Sequence, residues 1–337
     1  MNDRAGSLIP VYRGIQGIPT RFGPTVGVIG NFDGVHRGHR KILSAAMAEA
    51  RGSGKRAVAI TFDPHPEQFL RPEAAPRLIT PMEERLRLLA GTGIDAVVVM
   101  PFEAALAEMT AREFVRRVLV GALGVSALHE GGNFRFGRHA EAGVRELDEF
   151  GSEFGFALRT HQAVRVHGLE VSSSAIRRLV AAGDVRRARW MLGRVFGVRS
   201  TPARGRGIGT KLLVPTLNLA PYAALLPGFG VYVTRLTVRG RCFQAVTNVG
   251  NRPTFGEVSF AVESHILDFE PMDLDEETPI DHPTDKDLSA GTPIDLEFLL
   301  RLRGEMEWPS TEALKAQIFR DVAHAKRYFR LRAASSL

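Results

Sequence analysis

Two histidines three residues apart follow a glycine-containing turn near the start of the chain. Residues 27–39 begin as an apolar strand, pass Gly30 and a turn, and place His36 and His39 at the start of a predicted helix. At that spacing two side chains share one helix face. A helix start also presents unpaired N–H groups and a partial positive charge. The run therefore predicts a polyphosphate site at the carboxyl end of a parallel strand.

Nucleotidyl transfer is the chemistry that these groups suit. When a phosphate attacks the α-phosphate of ATP and pyrophosphate leaves, negative charge builds on the non-bridging oxygens. Two imidazoles and backbone amides can stabilise that charge without a covalent intermediate. An isolated histidine pair is more often structural, but strand, turn and helix start at one place favour the functional interpretation. The run lacks the Gly-x-Gly-x-x-Gly fingerprint, which disfavours a dehydrogenase.

The elements around this run alternate between strand and helix patterns. Capping boxes at residues 80–83 and 110–113 predict two of the helix starts. Apolar runs that suit strands covered on both faces are residues 25–29, 57–62 and 95–100. The pattern predicts an α/β domain with a doubly wound parallel sheet, which we assign to residues 1–185.

The second half is predicted to be a small antiparallel β-barrel with a C-terminal helix, residues 186–337. Ser310 is the expected N-cap of that helix, and residues 184–194 are expected to join the halves. Residues 270–292 are acidic and contain proline, which predicts a loop insertion without chemistry. The predicted strands, which turn residues separate, are residues 231–238, 242–249, 262–269 and 293–300.

The charge balance raises a nucleic-acid-binding alternative, since the net charge is +7 and the sequence pI about 10.0. The basic residues are spread along the chain, however, and only 8% of residues are aromatic, so no basic stripe with interleaved aromatics is present. We expect no nucleic-acid partner. A positive field instead suits phosphate ligands.

The sequence also bears on the location of the protein and on its cysteine chemistry. No run approaches the roughly 18 apolar residues of a membrane span, and the first ten residues lack the apolar stretch of a signal peptide. We expect a cytoplasmic protein without a membrane partner, and the sequence leaves a homo-oligomer open. The single cysteine, Cys242, excludes an intrachain disulfide and is predicted to be a small buried residue.

Residues 30–39 (Gly-Asn-Phe-Asp-Gly-Val-His-Arg-Gly-His) resemble the signature of the bifunctional riboflavin kinase/FMN adenylyltransferase family, the prokaryotic FAD synthetases. The resemblance implies phosphorylation of riboflavin to FMN and adenylylation of FMN to FAD, with ATP as co-substrate and Mg²⁺ as cofactor. It covers nearly the whole chain. Further matches in family order are residues 61–66, 132–137, 171–177, 215–218, 230–232, 248–255 and 263–269.

The resemblance implies roles for residues of the first half. His36 and His39 would be catalytic and would contact the ATP phosphates and the transition state. Asn133 stands where many members carry Asp, and would contact flavin or phosphate. The shared nucleotide and flavin site would include Gly30, Asn31, Phe32, Asp33 and Gly34. A second helix start would hold the nucleotide phosphates through Ser172, Ser173, Ser174 and Arg177, although these serines could also only cap their helix.

In the second half the resemblance assigns kinase roles. Thr216 and Asn218 would be oxygen ligands of Mg²⁺, and Glu263 would be the general base for the ribityl hydroxyl. Further binding residues would be Gly209, Lys211, Arg252 and Arg303. The chain departs from the family pattern before Pro215 and in the acidic insertion. A flavin-binding barrel without kinase activity therefore stays open as an alternative. Adenylylation of another small phosphate is a second alternative, since related nucleotidyl transferases share the two-histidine start, although the motifs of the second half argue against it.

Overall fold

The computed structural model describes residues 9–203, 216–254, 257–267 and 291–334. The chain divides into two compact units, Met1–Ser173 and Ser174–Leu337. The boundary predicted at residue 185 remains a prediction.

In the described part of the first unit, six parallel strands form one sheet in the order β1-β4-β3-β2-β5-β6. The strands are β1 (Val11–Arg13), β2 (Thr25–Ile29), β3 (Arg56–Asp63), β4 (Ala96–Pro101), β5 (Val125–Gly131) and β6 (Ala157–His161). β2 to β5 consist largely of apolar residues that are buried, because helices cover both faces of the sheet. The prediction of a doubly wound parallel sheet is confirmed.

Helices alternate with these strands. They are α1 (Arg37–Gly52), α2 (Pro66–Leu70), α3 (Met82–Ala90), α4 (Ala104–Ala107), α5 (Ala111–Phe114), which continues as the π-helix Val115–Ala122, and α6 (Val144–Phe154). Leu43 and Ala46 of α1 pack on one face of the sheet with Val26 and Val28. Val118 of the π-helix packs on the other face. A short hairpin follows, β7 (Arg165–Val166) and β8 (Leu169–Glu170), and then α7 (Ser173–Ala181).

The strand order reverses at β2. From β2 the chain runs through β3 to β4 on one side, whereas β5 and β6 lie on the other side. The carboxyl ends of β2 and β5 therefore border a topological switch point, where open α/β sheets bind their ligands.

Two predicted helix starts have different outcomes. The capping box of Thr110 and Glu113 forms with both of its hydrogen bonds. The capping box predicted at residues 80–83 is wrong, because no side chain caps α3. The Thr80 hydroxyl instead bonds to Asp33 and to the Gly34 amide.

In the second unit, the strands that the structure describes form a seven-stranded antiparallel sheet in the order β10-β11-β14-β13-β12-β15-β9. The elements are α8 (Val185–Leu192), β9 (Phe196–Ser200), β10 (Pro202–Ala203), β11 (Thr216–Leu219), β12 (Gly230–Val238), β13 (Arg241–Thr254), β14 (Glu257–Ile266), β15 (Ile294–Arg303) and α9 (Thr311–Ala334). Only Thr201 separates the two edge strands, β9 and β10, so the edges meet and the sheet curls into the predicted barrel.

The segments at the two ends of the barrel sequence are helical. Ser310 Oγ accepts a hydrogen bond from Ala313 N at 3.2 Å, which confirms the predicted cap of α9. Residues 184–194, expected to join the halves, contain α8, which packs against β15. α8 buries Val185, Ala188, Met191 and Leu192.

The prediction for Cys242 is wrong, because this residue is exposed. It lies in the β12–β13 hairpin, beside a turn in which Arg239 and Gly240 both have positive φ (48° and 78°). Within the ranges described, no helix is both long enough and apolar enough to span a membrane. The predicted insertion at residues 270–292 lies, except for its last two residues, outside the described residues.

Candidate active sites

The histidine pair lies where β2 gives way to α1. His36 is the N-cap of α1, and its Nδ1 accepts a hydrogen bond from His39 N at 3.3 Å. The two imidazole rings stack with their centroids 3.6 Å apart, and Phe32 meets the His39 ring edge-on at 5.3 Å. Gly38 is needed beside this stack, because a Cβ there would lie 3.1 Å from the His36 ring. The expectation that both histidines share one face is confirmed.

The turn before α1 is held by Asp33. Its carboxylate accepts hydrogen bonds from Ile79 N at 3.0 Å and from Thr80 N at 2.9 Å. The Thr80 hydroxyl donates to the same carboxylate at 3.2 Å and accepts from Gly34 N at 2.9 Å. Asp33 is only 1% exposed, and these bonds fix the turn. The ligand-site role that the family resemblance implies for Asp33 stays a prediction.

The conformation of this turn is strained. Phe32, Gly34 and Val35 have φ values of 46°, 84° and 37°. Glycine adopts such values readily, but for a β-branched residue such as Val35 they are costly and persist only where the surroundings enforce them. Ser173 Oγ, at the start of α7, donates to Asp33 O at 2.8 Å and adds to that enforcement.

A cleft of about 720 Å³ opens over the carboxyl ends of β2, β5 and β6. The predicted residues that line it are Gly30, Phe32, His36, His39, Asn133, Ser172 and Ser173. The cleft wall formed by residues 160–164, at the end of β6 and just after it, contains no predicted site residue. Ser174 and Arg177 lie on α7 in the second unit.

A second cleft, of about 750 Å³, extends over the ends of β3 and β4. Asn31 is the predicted residue that belongs to this cleft alone. The two clefts share Ile29, Gly30, Asn133 and Phe134 as lining residues. The rest of its wall is mainly apolar and aromatic, and includes Phe62, Phe102, Leu106, Met109, Phe114 and Phe136. Phe62 and Phe134 were not among the predicted site residues, because the sequence gives no signal that separates an aromatic residue of the core from one that lines a ligand site.

A buried acid, Glu130, lies on β5 next to the end of β2 and was not predicted. It lines the first cleft, is 2% exposed and accepts a hydrogen bond from Ile29 N at 2.7 Å. Burial raises the pKa of Glu130 well above its usual value, against the lowering effect of the Ile29 bond. The sequence does carry a signal for this residue, because a glutamate follows soon after the largely apolar run 125–128, where a strand would end.

The predicted kinase residues lie side by side in the barrel. Glu263 on β14 is paired with Asn218 on β11 and with Asn248 on β13. Thr216 pairs with His265, two residues further along the same strands. Because directly paired residues share a face, as do residues two apart, all five side chains lie on one face of the sheet.

A cavity of about 320 Å³ lies on that face, against α9. It contains Thr216, Glu263 and Arg303 of the predicted set. Arg303 is held by Asp321, at 2.9 and 3.0 Å, and its guanidinium lies over the Trp308 ring at 5.3 Å. His265, Trp308 and Asp321 also line this cavity and were not among the predicted site residues.

The structure does not place three of the predicted binding residues in a site. Gly209 and Lys211 lie outside the described residues, and Arg252 lies within β13.

Each half of the chain matches a known protein-family model. The FAD synthetase family model matches residues 19–175, and the riboflavin kinase model matches residues 192–329. The bifunctional riboflavin kinase/FMN adenylyltransferase of Pseudomonas fluorescens is 34% identical over 315 residues, which are 93% of this chain and 96% of that protein. The chain belongs to the bifunctional riboflavin kinase/FMN adenylyltransferase family.

A further member agrees with this assignment, and a solved structure shares the fold. The Escherichia coli K12 enzyme of the same name is 33% identical over 90% of this chain and 92% of its own length. A crystal structure titled as a macrolide-efflux protein from Streptococcus pneumoniae covers 95% of this chain and 99% of its own, at 24% identity and a TM-score of 0.81. The latter likeness concerns the fold alone.

Replacing Asp33 in this family member should destabilise the first unit. Asp33→Ala leaves buried amides of residues 79 and 80 without their acceptor, so we expect a loss of about 2–4 kcal/mol. Calorimetry of the full chain measures this change in the free energy of unfolding. The control is Asp148→Ala, at an exposed residue, for which we expect a change below about 0.5 kcal/mol. Similar effects of the two substitutions would show that the carboxylate does not hold the turn.

Glu130 should make stability depend on pH. A glutamate normally ionises near pH 4. Because burial raises the pKa of Glu130, the folded state keeps its proton where the unfolded chain has lost it. Stability should therefore fall as the pH rises above about 4 towards the folded-state pKa, by at most about 1.4 kcal/mol per pH unit.

Glu130→Gln removes this titration and keeps an acceptor for Ile29 N. We expect the variant to raise the melting temperature more at pH 8 than at pH 5, measured by calorimetry. Glu153→Gln, at a half-exposed residue paired with Arg112, is the matched control. Equal shifts of the Glu130 variant at both pH values would contradict the assignment of a buried, neutral acid.

Proposed function

We propose that the two clefts of the first unit transfer an adenylyl group from ATP to FMN, and that the barrel cavity phosphorylates riboflavin. The chain is a riboflavin kinase and FMN adenylyltransferase: riboflavin and ATP give FMN and ADP, and FMN and ATP give FAD and pyrophosphate. One observation carries the assignment of adenylyl transfer to the first unit. Two ligand-sized clefts share Gly30 and Asn133, directly beside the histidine pair.

ATP fits the first cleft. Its phosphates would lie at the start of α1 and beside Ser172 and Ser173, at the start of a second helix, where backbone N–H groups attract anions. Ser174 and Arg177, which follow on the same helix, are proposed to extend this phosphate site. The cleft runs on across β5 to β6, which leaves that end for the nucleoside.

FMN fits the second cleft. Phe62, Phe102 and Phe136 offer apolar and aromatic surface to the flat isoalloxazine ring. The FMN phosphate would then lie at the wall that both clefts share, near Asn133. Asn keeps one acceptor and two donors there, so it can hydrogen-bond to phosphate where an Asp would repel it.

At the shared wall an FMN phosphate oxygen would bond to the α-phosphorus of ATP. The bond from that phosphorus to the bridging oxygen breaks, and pyrophosphate leaves with the electron pair. His36 and His39 would hydrogen-bond to the oxygens on which charge develops. Their stack on the α1 start holds them in place before the substrates bind.

In the barrel, Glu263 would accept the proton of the terminal ribityl hydroxyl as it attacks the γ-phosphate of ATP. Asn218 and Asn248, paired on either side of Glu263, would orient the carboxylate and the hydroxyl. Trp308 and Arg303 would support the flavin ring. Gly209, Lys211 and Arg252 remain proposed nucleotide contacts.

Mg²⁺ fits the donors that the barrel provides. Thr216 and Asn218 carry a hydroxyl and an amide oxygen on one face of β11, which are ligands suited to a hard cation that also binds phosphate oxygens. These two residues would hold the ion, and it would neutralise charge on the ATP phosphates.

The alternatives do not fit the family membership. The riboflavin kinase model covers the barrel with Glu263, Thr216 and Asn218, which disfavours a barrel that only binds flavin. It also disfavours adenylylation of an unrelated phosphate. We propose that the enzyme acts in the cytoplasm on riboflavin, FMN and ATP, without nucleic-acid or membrane partners, and a homo-oligomer stays open.

The histidine pair should be required for FAD formation only. His36→Asn keeps an N-cap side chain for α1 and removes the imidazole, and His39→Ala removes the second ring. We expect each variant to lower the rate of FAD formation from FMN and ATP by about 10²–10³-fold. FMN formation from riboflavin, followed by chromatography in the same samples, should stay within about twofold, and its loss in a folded variant would contradict the two-site division.

The barrel residues should have the converse effect. Glu263→Gln keeps the shape of the side chain but cannot accept the proton, and Asn218→Ala removes a proposed metal ligand. We expect FMN formation to fall by about 10²-fold or more, with FAD formation from added FMN unchanged. Glu297→Gln, which changes a surface ion pair of β15, serves as control. A Glu263→Gln variant with normal kinase activity would remove the general-base role.

A further inference from the structure

A chain of side chains leads from the surface to the first cleft. Arg159 Nε lies 3.3 Å from Glu49 Oε2, and the same oxygen lies 3.0 Å from His129 Nε2. His129 Nδ1 lies 3.0 Å from His161 Nε2. His161 lines the cleft at the end of β6. Glu49 comes from α1 and His129 from β5, so three elements converge on one imidazole.

Both imidazoles are held neutral. Burial lowers the pKa of His129, and Arg159 lowers it further, against the raising effect of Glu49. Burial also lowers the pKa of His161, as do the His129 ring and Lys41. A histidine whose pKa lies below its usual value of about 6.5 is uncharged at pH 7 and above.

The order of hydrogen bonds then fixes which nitrogen carries each proton. Glu49, paired with Arg159, is a carboxylate and can only accept, so His129 carries its proton on Nε2. His129 Nδ1 is therefore an acceptor, and His161 must donate to it from Nε2. As a neutral ring, His161 is left with an unprotonated Nδ1, an acceptor that makes no hydrogen bond to any residue described in the structure.

The position of His161 suits the nucleobase end of a nucleotide. Strand spacing places the end of β6 about 10 Å from the end of β2, with β5 between them. The helix starts at β2 and at Ser173 attract the phosphates. The nucleoside is left with the wall formed by residues 160–164, to which His161 belongs.

We propose that His161 accepts a hydrogen bond through Nδ1 from the 6-amino group of the adenylyl donor, and so selects adenine over purines with a 6-oxo group. His161 is a specificity-determining residue, while Glu49 and His129 are positioning residues that fix its tautomer. The inference rests on the adenylyl-transfer site proposed above. A 6-oxo purine would bring a carbonyl oxygen against Nδ1, and two acceptors cannot pair.

Inosine triphosphate tests this, because it carries a 6-oxo group and lacks the additional amino group of guanine. With FMN supplied, kcat/KM for flavin dinucleotide formation is measured with ATP and with inosine triphosphate. We expect the wild type to prefer ATP by about 10- to 100-fold or more. His161→Phe, which keeps a flat ring without nitrogens, should lower that preference at least about fivefold, chiefly by loss of activity with ATP.

Two further variants complete the series. Glu49→Ala should lower the preference for ATP by a smaller factor, about threefold, because the His161 tautomer becomes mixed. His167→Ala, at an exposed histidine outside both clefts, should leave it unchanged. Riboflavin phosphorylation in the same samples, which uses ATP at the barrel, controls for the amount of enzyme, and calorimetry of each variant reports that the first unit is folded.

The tautomer itself can be read directly. Long-range ¹H–¹⁵N correlation spectra of protein labelled at histidine nitrogens distinguish a protonated from an unprotonated ring nitrogen. At pH 7.5 we expect His161 and His129 both to carry the proton on Nε2, and Glu49→Ala to mix the two forms of His129.

Two results would overturn the inference: a wild-type His161 protonated on Nδ1, or a His161→Phe variant in which activity with both nucleotides falls equally. Failure of the proposed function is a different outcome, since the wild type would then form no FAD from FMN and ATP.

Discussion

Hydrogen bonds to one buried carboxylate hold the turn on which the first site depends. Phe32 and Val35 adopt positive φ values that neither side chain favours. The amides and hydroxyl of residues 79 and 80 fix Asp33, and through it the turn. The start of α1 is thereby aimed at the edge of the sheet. The direction of α1 determines where the histidine stack lies. The turn also forms part of the wall that the two clefts share, and its backbone accepts the Ser173 hydrogen bond.

The distribution of charge along the clefts matches the ligands they are proposed to hold. At β2 the α1 start supplies N–H groups and a partial positive charge for phosphates. Further along, burial favours the uncharged forms of Glu130, whose pKa it raises, and of His129 and His161, whose pKa values it lowers. Burial thus opposes a second anion beside a triphosphate and a cation where an uncharged base would lie.

Sequence patterns predicted the architecture because hydrophobic periodicity and strand order follow local rules. The buried strand at residues 25–29, the alternation with helices and the antiparallel second half were all readable in this way. The histidine pair was readable because its residues are adjacent in sequence. Contacts between distant residues were not: Asp33 with Thr80, Glu49 with His129, and Arg303 with Asp321 join segments that no local pattern connects. The capping box expected at Thr80 failed for that reason, since a distant carboxylate competed for its hydroxyl.

The topology explains why two ligands can meet at one strand. Among the strands described in the parallel sheet, β2 is the only one that lies between two neighbouring strands that both come later in the chain. β3 and β4 lie on one side, and β5 and β6 lie on the other. A cleft therefore opens on each side of the carboxyl end of β2, one towards β3 and β4, where several aromatic rings line it, and one towards β5 and β6. Outside the shared wall, each cleft can change its lining residues without disturbing the other, because those residues follow different strands. The shared wall cannot change so freely, because Gly30 and Asn133 face both substrates, and this constraint concentrates the chemistry where the strand order reverses.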